Sequence, residues 1–167
     1  VQLREIPRLG ADAAVYAHSY TFFDNPGQTS FLLGLRTEMT RGFYGFKPYA
    51  AVQVLLTGEL LFPLTAIVGG QYTLHLWRLE LGARAGLAGS SNVLVQLIRD
   101  QYATDDKEWF THYGASGGAY VSYLLSRDMK LFAEVQADYL IGILGSRGGA
   151  FGNFGGYQVG LGAAFKL

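Results

Sequence analysis

The chain contains no cysteine, which removes disulfide scaffolds, thiolate metal sites and cysteine nucleophiles from consideration. Proline (4) and methionine (2) are scarce, and so is charge. The 13 Lys and Arg residues balance 13 Asp and Glu residues, and charged residues make up only 16% of the 167, against roughly 25% in soluble domains. A neutral chain lacks the electrostatic footprint of a nucleic-acid binder, so no nucleic acid is expected as a partner. No apolar run is long enough for a spanning helix: the stretch Leu55–Val68 is broken by Glu59 and Pro63 and falls short of the ~18–20 residues required. The sequence opens at Val1-Gln2 with no charged n-region or apolar h-region. The expectation is therefore a mature or trimmed form without a signal peptide of its own, any export signal lying out of view.

What is abundant is glycine (23) together with tyrosine and phenylalanine (11 each). Such a chain is too apolar for disorder and suits a β-rich single domain in an unusual solvent. The informative pattern has a period of two. Phe31, Leu33 and Leu35 alternate with Gly34, Arg36 and Glu38, and Ala50, Val52 and Val54 with Tyr49, Ala51 and Gln53. Trp77, Leu79, Leu81, Ala83, Ala85 and Leu87 alternate with Arg78, Glu80, Gly82, Arg84 and Gly86. The same alternation runs through Tyr113–Leu125, Leu131–Ile141 and Tyr157–Leu167. Only strands separate two such phases onto two faces.

With the weaker runs Ala13–Phe23 and Val93–Gln101 the tally is eight strands, mostly ~11–16 residues long where ordinary globular strands have ~5–6. Their length fits a bilayer crossing, which takes ~9–11 tilted residues. With both termini periplasmic, long outer and short inner connections alternate. Asp24–Thr29, Leu60–Gln71, Ala103–Glu108 and Gly145–Gly155 are outer; Phe43–Phe46, Gly89–Asn92 and Ser126–Asp128 are inner. Leu60–Gln71 leaves two alternatives open, a short extra strand or part of one long Leu64–Leu87 strand bulged at Gly69-Gly70.

A soluble barrel with an apolar interior is the direct competitor. Three features favour the membrane. The polar phase is rich in Gly and Ser, its charges come in balanced groups (Arg36 near Glu38; Arg78 and Arg84 around Glu80), and aromatics such as Trp77, Tyr113, Tyr123 and Tyr139 sit near the ends of the apolar phase, where interface girdles belong. The expected fold class is all-β: a transmembrane, antiparallel, up-and-down β-barrel of eight strands over residues 12–167. Residues 1–11 form an N-terminal segment without alternation, expected as a periplasmic arm, with a luminal plug or a frayed leader as alternatives.

The last strand, Tyr157 to Leu167, resembles the C-terminal assembly signal of bacterial outer-membrane proteins, with Tyr157, Phe165 and Leu167 on its aromatic and apolar phase. Many members end in Phe where this chain has Leu167. The span from Asp12 onward resembles the eight-stranded outer-membrane barrels of the OmpA/OmpX type. That resemblance implies integral outer-membrane localisation, outer-membrane lipid as surroundings, and the barrel-assembly machinery as a partner during insertion.

An eight-stranded barrel has an interior that side chains fill. The inward polar set is expected to be Arg36, Glu38, Gln53, Arg78, Glu80, Arg84, Glu134, Gln136 and Asp138, near-equal in sign and mutually satisfied. Inward glycines leave room for Tyr49, Tyr120 and Phe132. Some barrels of this kind are lipid A deacylases, which resemble a His-x-Ser pair beside a Glu. Here His18-Ser19 are adjacent and so on opposite faces, while His112, Ser116 and Glu134 form the alternative catalytic set. Against that set, His112 is expected at the strand rim, away from Glu134, and a triad needs hydrogen-bond reach. His75 is expected at the interface beside Trp77. No metal site and no cofactor are expected: the three histidines are scattered, and Asp105-Asp106 with Glu108 is a solvated cluster. The Gly145–Gly156 stretch lacks the Gly-Lys-Ser/Thr ending of a phosphate loop.

On the lipid-facing phase Ala115, Gly117, Ala119, Ala133 and Ala137 form a patch of small residues, of the kind that lets membrane proteins pack closely. It is a candidate contact for another membrane or periplasmic protein. The sequence thus points to a non-enzymatic barrel acting as a structural or accessory subunit of an envelope assembly. The alternative is a lipid A-directed hydrolase, and the third reading is a narrow pore.

Overall fold

A computed structural model describes residues 10–42, 44–56, 64–91, 112–142 and 153–167. Eight antiparallel strands close into one barrel in chain order: β1 (Ala11–Phe22), β2 (Thr29–Met39), β3 (Phe46–Leu56), β4 (Leu64–Leu76), β5 (Leu79–Ser91), β6 (His112–Leu124), β7 (Met129–Gly142) and β8 (Phe154–Lys166). The seam is β1 on β8, running from Asp12 opposite Lys166 to Phe22 opposite Gly156. Closure leaves no open sheet edge, which removes the usual hazard of unpaired strand backbone. The start of β1, the C-terminal Leu167 and the connections β2–β3, β4–β5 and β6–β7 lie at one end of the barrel, here the turn end. The other four connections leave from the opposite, loop end.

The two strand faces differ as a membrane demands and a soluble barrel does not. Outward positions carry exposed Leu35 (63%), Val68 (66%), Leu87 (76%) and Leu161 (69%), whereas Arg36 (4%), Glu38 (3%) and Glu134 (4%) are buried inside. Apolar groups exposed in bulk and charges buried in the centre invert the soluble rule, and match a lipid-facing wall around a polar interior.

Three boundaries differ from the sequence expectation. The segment expected as an outer loop, Leu60–Gln71, belongs from Leu64 onward to β4, a strand of its own as in the extra-strand alternative but running on to Leu76, and the single bulged Leu64–Leu87 strand does not occur. Trp77, expected to start a strand, is instead the first residue of the Trp77-Arg78 turn between β4 and β5. Leu76 and Leu79 pair across it, so the outward phase shifts from even to odd positions. Two-residue hairpin turns are normally marked by Asn-Gly or Asp-Gly; here Trp77 itself takes the left-handed conformation (φ 59°), and no turn signal is written in the sequence. Gly89–Ser91, expected in an inner turn, continue β5 toward the loop end. The expected strand Val93–Gln101 and the outer connection Ala103–Glu108 lie outside the described residues. So do residues 1–9 of the expected N-terminal arm; its last two residues belong to the barrel, Gly10 accepting from the amide of Thr40 and Ala11 from that of Leu167.

Candidate functional site

The candidate site is the barrel interior. Its filling starts from glycine. At Gly34, Gly82 and Gly162 an added Cβ would run into the rings of Tyr16, Tyr120 and Phe132, respectively. Each missing side chain is the space in which a neighbouring aromatic lies flat across the lumen. Between these rings two guanidiniums are stacked. Arg36 sits 4.6 Å from the Phe132 ring centre and 5.1 Å from that of Tyr16; Arg84 sits 4.3 Å from Tyr120 and 5.6 Å from Tyr49. Such cation–π contacts strengthen when desolvated.

Two carboxylates hold the guanidiniums in place. Arg36 donates from Nε to Glu38 (2.6 Å) and from Nη1 to both oxygens of Glu134 (3.0 Å each). Arg84 lies 3.1 Å from Glu134 and 3.7 Å from Glu38. Burying one such charge alone costs several kcal/mol, so the alternation of signs is what makes a charged lumen tolerable. Gln71 donates to the second oxygen of Glu38 at 3.1 Å. Toward the turn end Lys130 lies 3.4 Å from each of three carboxylates on three other strands, Asp12, Glu38 and Glu80. Ser122 donates to Glu80 at 3.0 Å, and His75 Nε2 stands 3.2 Å from the same residue. Replacing Lys130 with Met is expected to lower stability by about 1–3 kcal/mol, the penalty for stranding partly buried polar partners. A denaturant midpoint equal to wild type would mean that the three carboxylates are solvated without it.

Toward the loop end the network joins the expected Gln53 and Asp138 to Tyr16, Tyr20 and Gln158, which are not expected in it, and to His18. His18 has Nε2 2.9 Å from Glu134 and Nδ1 2.7 Å from Gln158 Oε1. Gln158 donates to Asp138 at 3.5 Å, and the Tyr20 hydroxyl donates to the other Asp138 oxygen at 2.7 Å. Gln136 donates to Ser116 (2.6 Å), and Tyr16 to Gln53 (3.2 Å). Beyond this layer the filling is mixed, with Leu32, Leu55, Ile67, Ala88 and Leu140 buried alongside Thr21, Ser30, Thr65, Ser90 and His112.

Of the expected luminal residues, Arg36, Glu38, Gln53, Glu80, Arg84, Glu134, Gln136 and Asp138 are buried inside, while Arg78 is not. It is exposed in the β4–β5 turn, because the phase shift there takes it out of the strand. The alternative catalytic set is not assembled. Glu134 pairs across from Tyr120 and His112 from Gly142, a separation of eight residues along β6, or roughly 27 Å at strand rise. Ser116 is engaged by Gln136, and the histidine at Glu134 is His18. His112, expected at the rim, is buried beside Ser90 in the β5–β6 register. His75 lies in the luminal phase of β4 rather than on the lipid side, at the turn-end mouth. His18 is weighed in the sequence only with Ser19, and its luminal place is hidden there because β1 carries its bulk inward (Tyr16, His18, Tyr20) and small residues outward (Ala17, Ser19), which blurs any apolar phase. The even-numbered run of hydrogen-bonding aromatics is the signal that would have exposed it.

On the outer wall Ala115, Gly117, Ala119 and Ala137 face outward, with Gly117 directly opposite Ala137 and, across β5, Ala85. Ala133 lies lower, opposite Val121, at the base of an apolar groove of about 380 Å³ walled by Val121, Val135 and Leu161. Tyr157, Phe165 and Leu167 are exposed on the outside of β8 and the end of the chain. No group of His, Cys, Asp and Glu suited to a metal ion occurs among the described residues.

No family model matches the chain, and no curated protein is similar to it in sequence. Solved structures are. Neisserial surface protein A superposes with a TM-score of 0.62 at 13% identity, over 95% of this chain and 97% of that one. The N-terminal β-barrel domain of Pseudomonas aeruginosa OprF gives 0.56 at 15%, over 93% and 97%. The outer-membrane protein OprG from Pseudomonas aeruginosa gives 0.55 at 11%, over 95% and 97%. At these identities the likeness is one of fold, and the chain has the architecture of the eight-stranded outer-membrane barrels.

Proposed function

We propose that the protein is an integral outer-membrane barrel with both termini periplasmic and a closed lumen, serving as a non-enzymatic structural or accessory component of the cell envelope. The observation that carries this reading is the belt formed by Arg36, Arg84, Glu38 and Glu134, each no more than 5% exposed. Four interlocked charged groups from β2, β5 and β7, packed against Tyr16, Tyr120 and Phe132, leave the centre to side chains, as expected of a barrel of this size. The patch at Ala115, Gly117, Ala119, Ala133 and Ala137 is the proposed contact for a membrane or periplasmic partner, since small residues permit close backbone approach where lipid supplies no hydrophobic contrast.

The test is reconstitution into planar bilayers together with mild-detergent extraction from native membranes. The expected results are no unitary conductance, no change in added lipid A, and a defined set of co-migrating proteins that is lost in a Gly117→Leu, Ala119→Leu variant. Discrete conductance steps would replace this reading with a narrow pore, and turnover of lipid A with a hydrolase. A barrel that always migrates alone would remove the accessory role.

A further inference from the structure

On the outer wall of β6, β7 and β8 a recess and a projection are neighbours. The recess is the apolar groove of about 380 Å³ with Ala133 at its base. Ala133 lies opposite Val121 on β6 and opposite Leu161 on β8, so one small side chain sits between two larger ones at the same level. The projection is Leu161 itself, 69% exposed, more than any other large apolar residue described on these three strands. One level toward the turn end the sizes are reversed, Leu131 lying opposite Ala163, and nearer the loop end Ala137 lies opposite Tyr157. At each of these levels one strand of the β7–β8 pair is small where the other is large.

A second copy of the chain can use that arrangement. Copies inserted in the same sense are related by a two-fold axis along the membrane normal, and a two-fold contact joins the same patch of both with positions exchanged. An axis passing in front of the β7–β8 pair sets β7 of one copy against β8 of the other at the same depth. Barrel strands tilt by roughly 35–45°, so the facing strands cross and the contact is confined to the level of the groove. We infer that the groove is where two copies of the chain pair in the membrane, Leu161 of each entering the groove of the other over Ala133. Two features select this occupant. The exposed walls Val121, Val135, Val159 and Leu161 are apolar, and the side chains of Tyr120 and Glu134 behind them are buried, so the groove offers nothing to a charged or hydrogen-bonding segment. Association within a bilayer then depends on close fit, and Leu161, held on a strand, costs less to order than a lipid chain. The inference rests on the proposed reading of this face as a contact within the membrane and names the partner.

The chain has no cysteine, so Ser126→Cys in the exposed β6–β7 turn gives a single labelling position away from the groove. Donor-labelled and acceptor-labelled full chains are refolded together into phosphatidylcholine vesicles, and energy transfer is followed as lipid is added. Heat-shifted gel migration is read on the same samples. Transfer is expected to stay above the level of random proximity. The protein density for half-association should rise about tenfold in Ala133→Leu, which fills the groove, and in Leu161→Ala, which removes the projection. The combined variant Ala133→Leu, Leu161→Ala exchanges recess and projection between the two strands and is expected to regain wild-type association. Random-proximity transfer from an inserted wild-type barrel overturns the inference, and leaves contact with a different protein to the co-migration test. A combined variant that associates no better than its parents overturns it too. An unshifted gel band would instead overturn the membrane-spanning reading, and the inference with it.

Discussion

Replacing Glu134 with Ala is expected to destabilise the barrel by about 3–5 kcal/mol, the cost of stranding the partners of a buried ion pair. The basic side chains of Arg36, Arg84 and His18 all come within 3.1 Å of it. Both of its oxygens accept from Arg36, one lies 3.1 Å from Arg84 and the other 2.9 Å from His18. Without it Glu38 alone faces two guanidiniums. Glu134→Gln keeps the shape and one acceptor and is expected to cost less than Glu134→Ala. Equilibrium denaturant unfolding in lipid vesicles measures both, and a loss below about 1 kcal/mol for the alanine variant would mean that water reaches the belt. The double variant Glu134→Ala, Arg84→Met should lose less than the sum of its parts, because its members share one network.

A single methyl group at the barrel seam is expected to have an effect of similar size. Gly160 lies opposite His18 where β8 meets β1. A Cβ there would collide with the His18 ring, the His18 Cα and the carbonyl oxygen of Ala17. Two of those three are backbone and cannot swing aside. Overpacking of this kind costs about 1–3 kcal/mol, and displacing His18 from Gln158 and Glu134 adds about 1–3 kcal/mol for buried polar groups left unpaired. Gly117→Ala is the matched control. Its nearest neighbour is the Arg84 carbonyl oxygen at 3.5 Å, ordinary contact distance, so its effect is expected to stay within about 0.5 kcal/mol. Equal stabilities for the two variants would contradict the close approach of β1 and β8.

The strands that were legible in the sequence were those whose two phases differ sharply. On β7 Leu131, Val135 and Tyr139 alternate with Phe132, Glu134, Gln136 and Asp138, and a glance at parity assigns the faces. Ile67 points inward with Gln71 while Gly69-Gly70 interrupts the pattern, so β4 looked like loop. The hairpin after it turns on Trp77, whose side chain advertises an interface and not a bend. Turn chemistry is read from residues that make positive φ easy, and a turn built from one that makes it hard leaves no trace.

Face and phase were determined locally, because side chains alternate across a strand as a matter of covalent geometry. Which inward charges meet was decided by closure. His18 and Glu134 lie on β1 and β7, strands that do not pair; each pairs with β8, at the same residue, Gly160. Only when the barrel shuts do they come within 2.9 Å, across the cleft that this glycine leaves open. A period of two distributes residues between lipid and lumen; the stagger at which eight strands close distributes the luminal ones among partners. The aromatic rings fill the lumen by the same rule, each over a glycine on the adjacent strand, as Tyr16 lies over Gly34 and Tyr120 over Gly82.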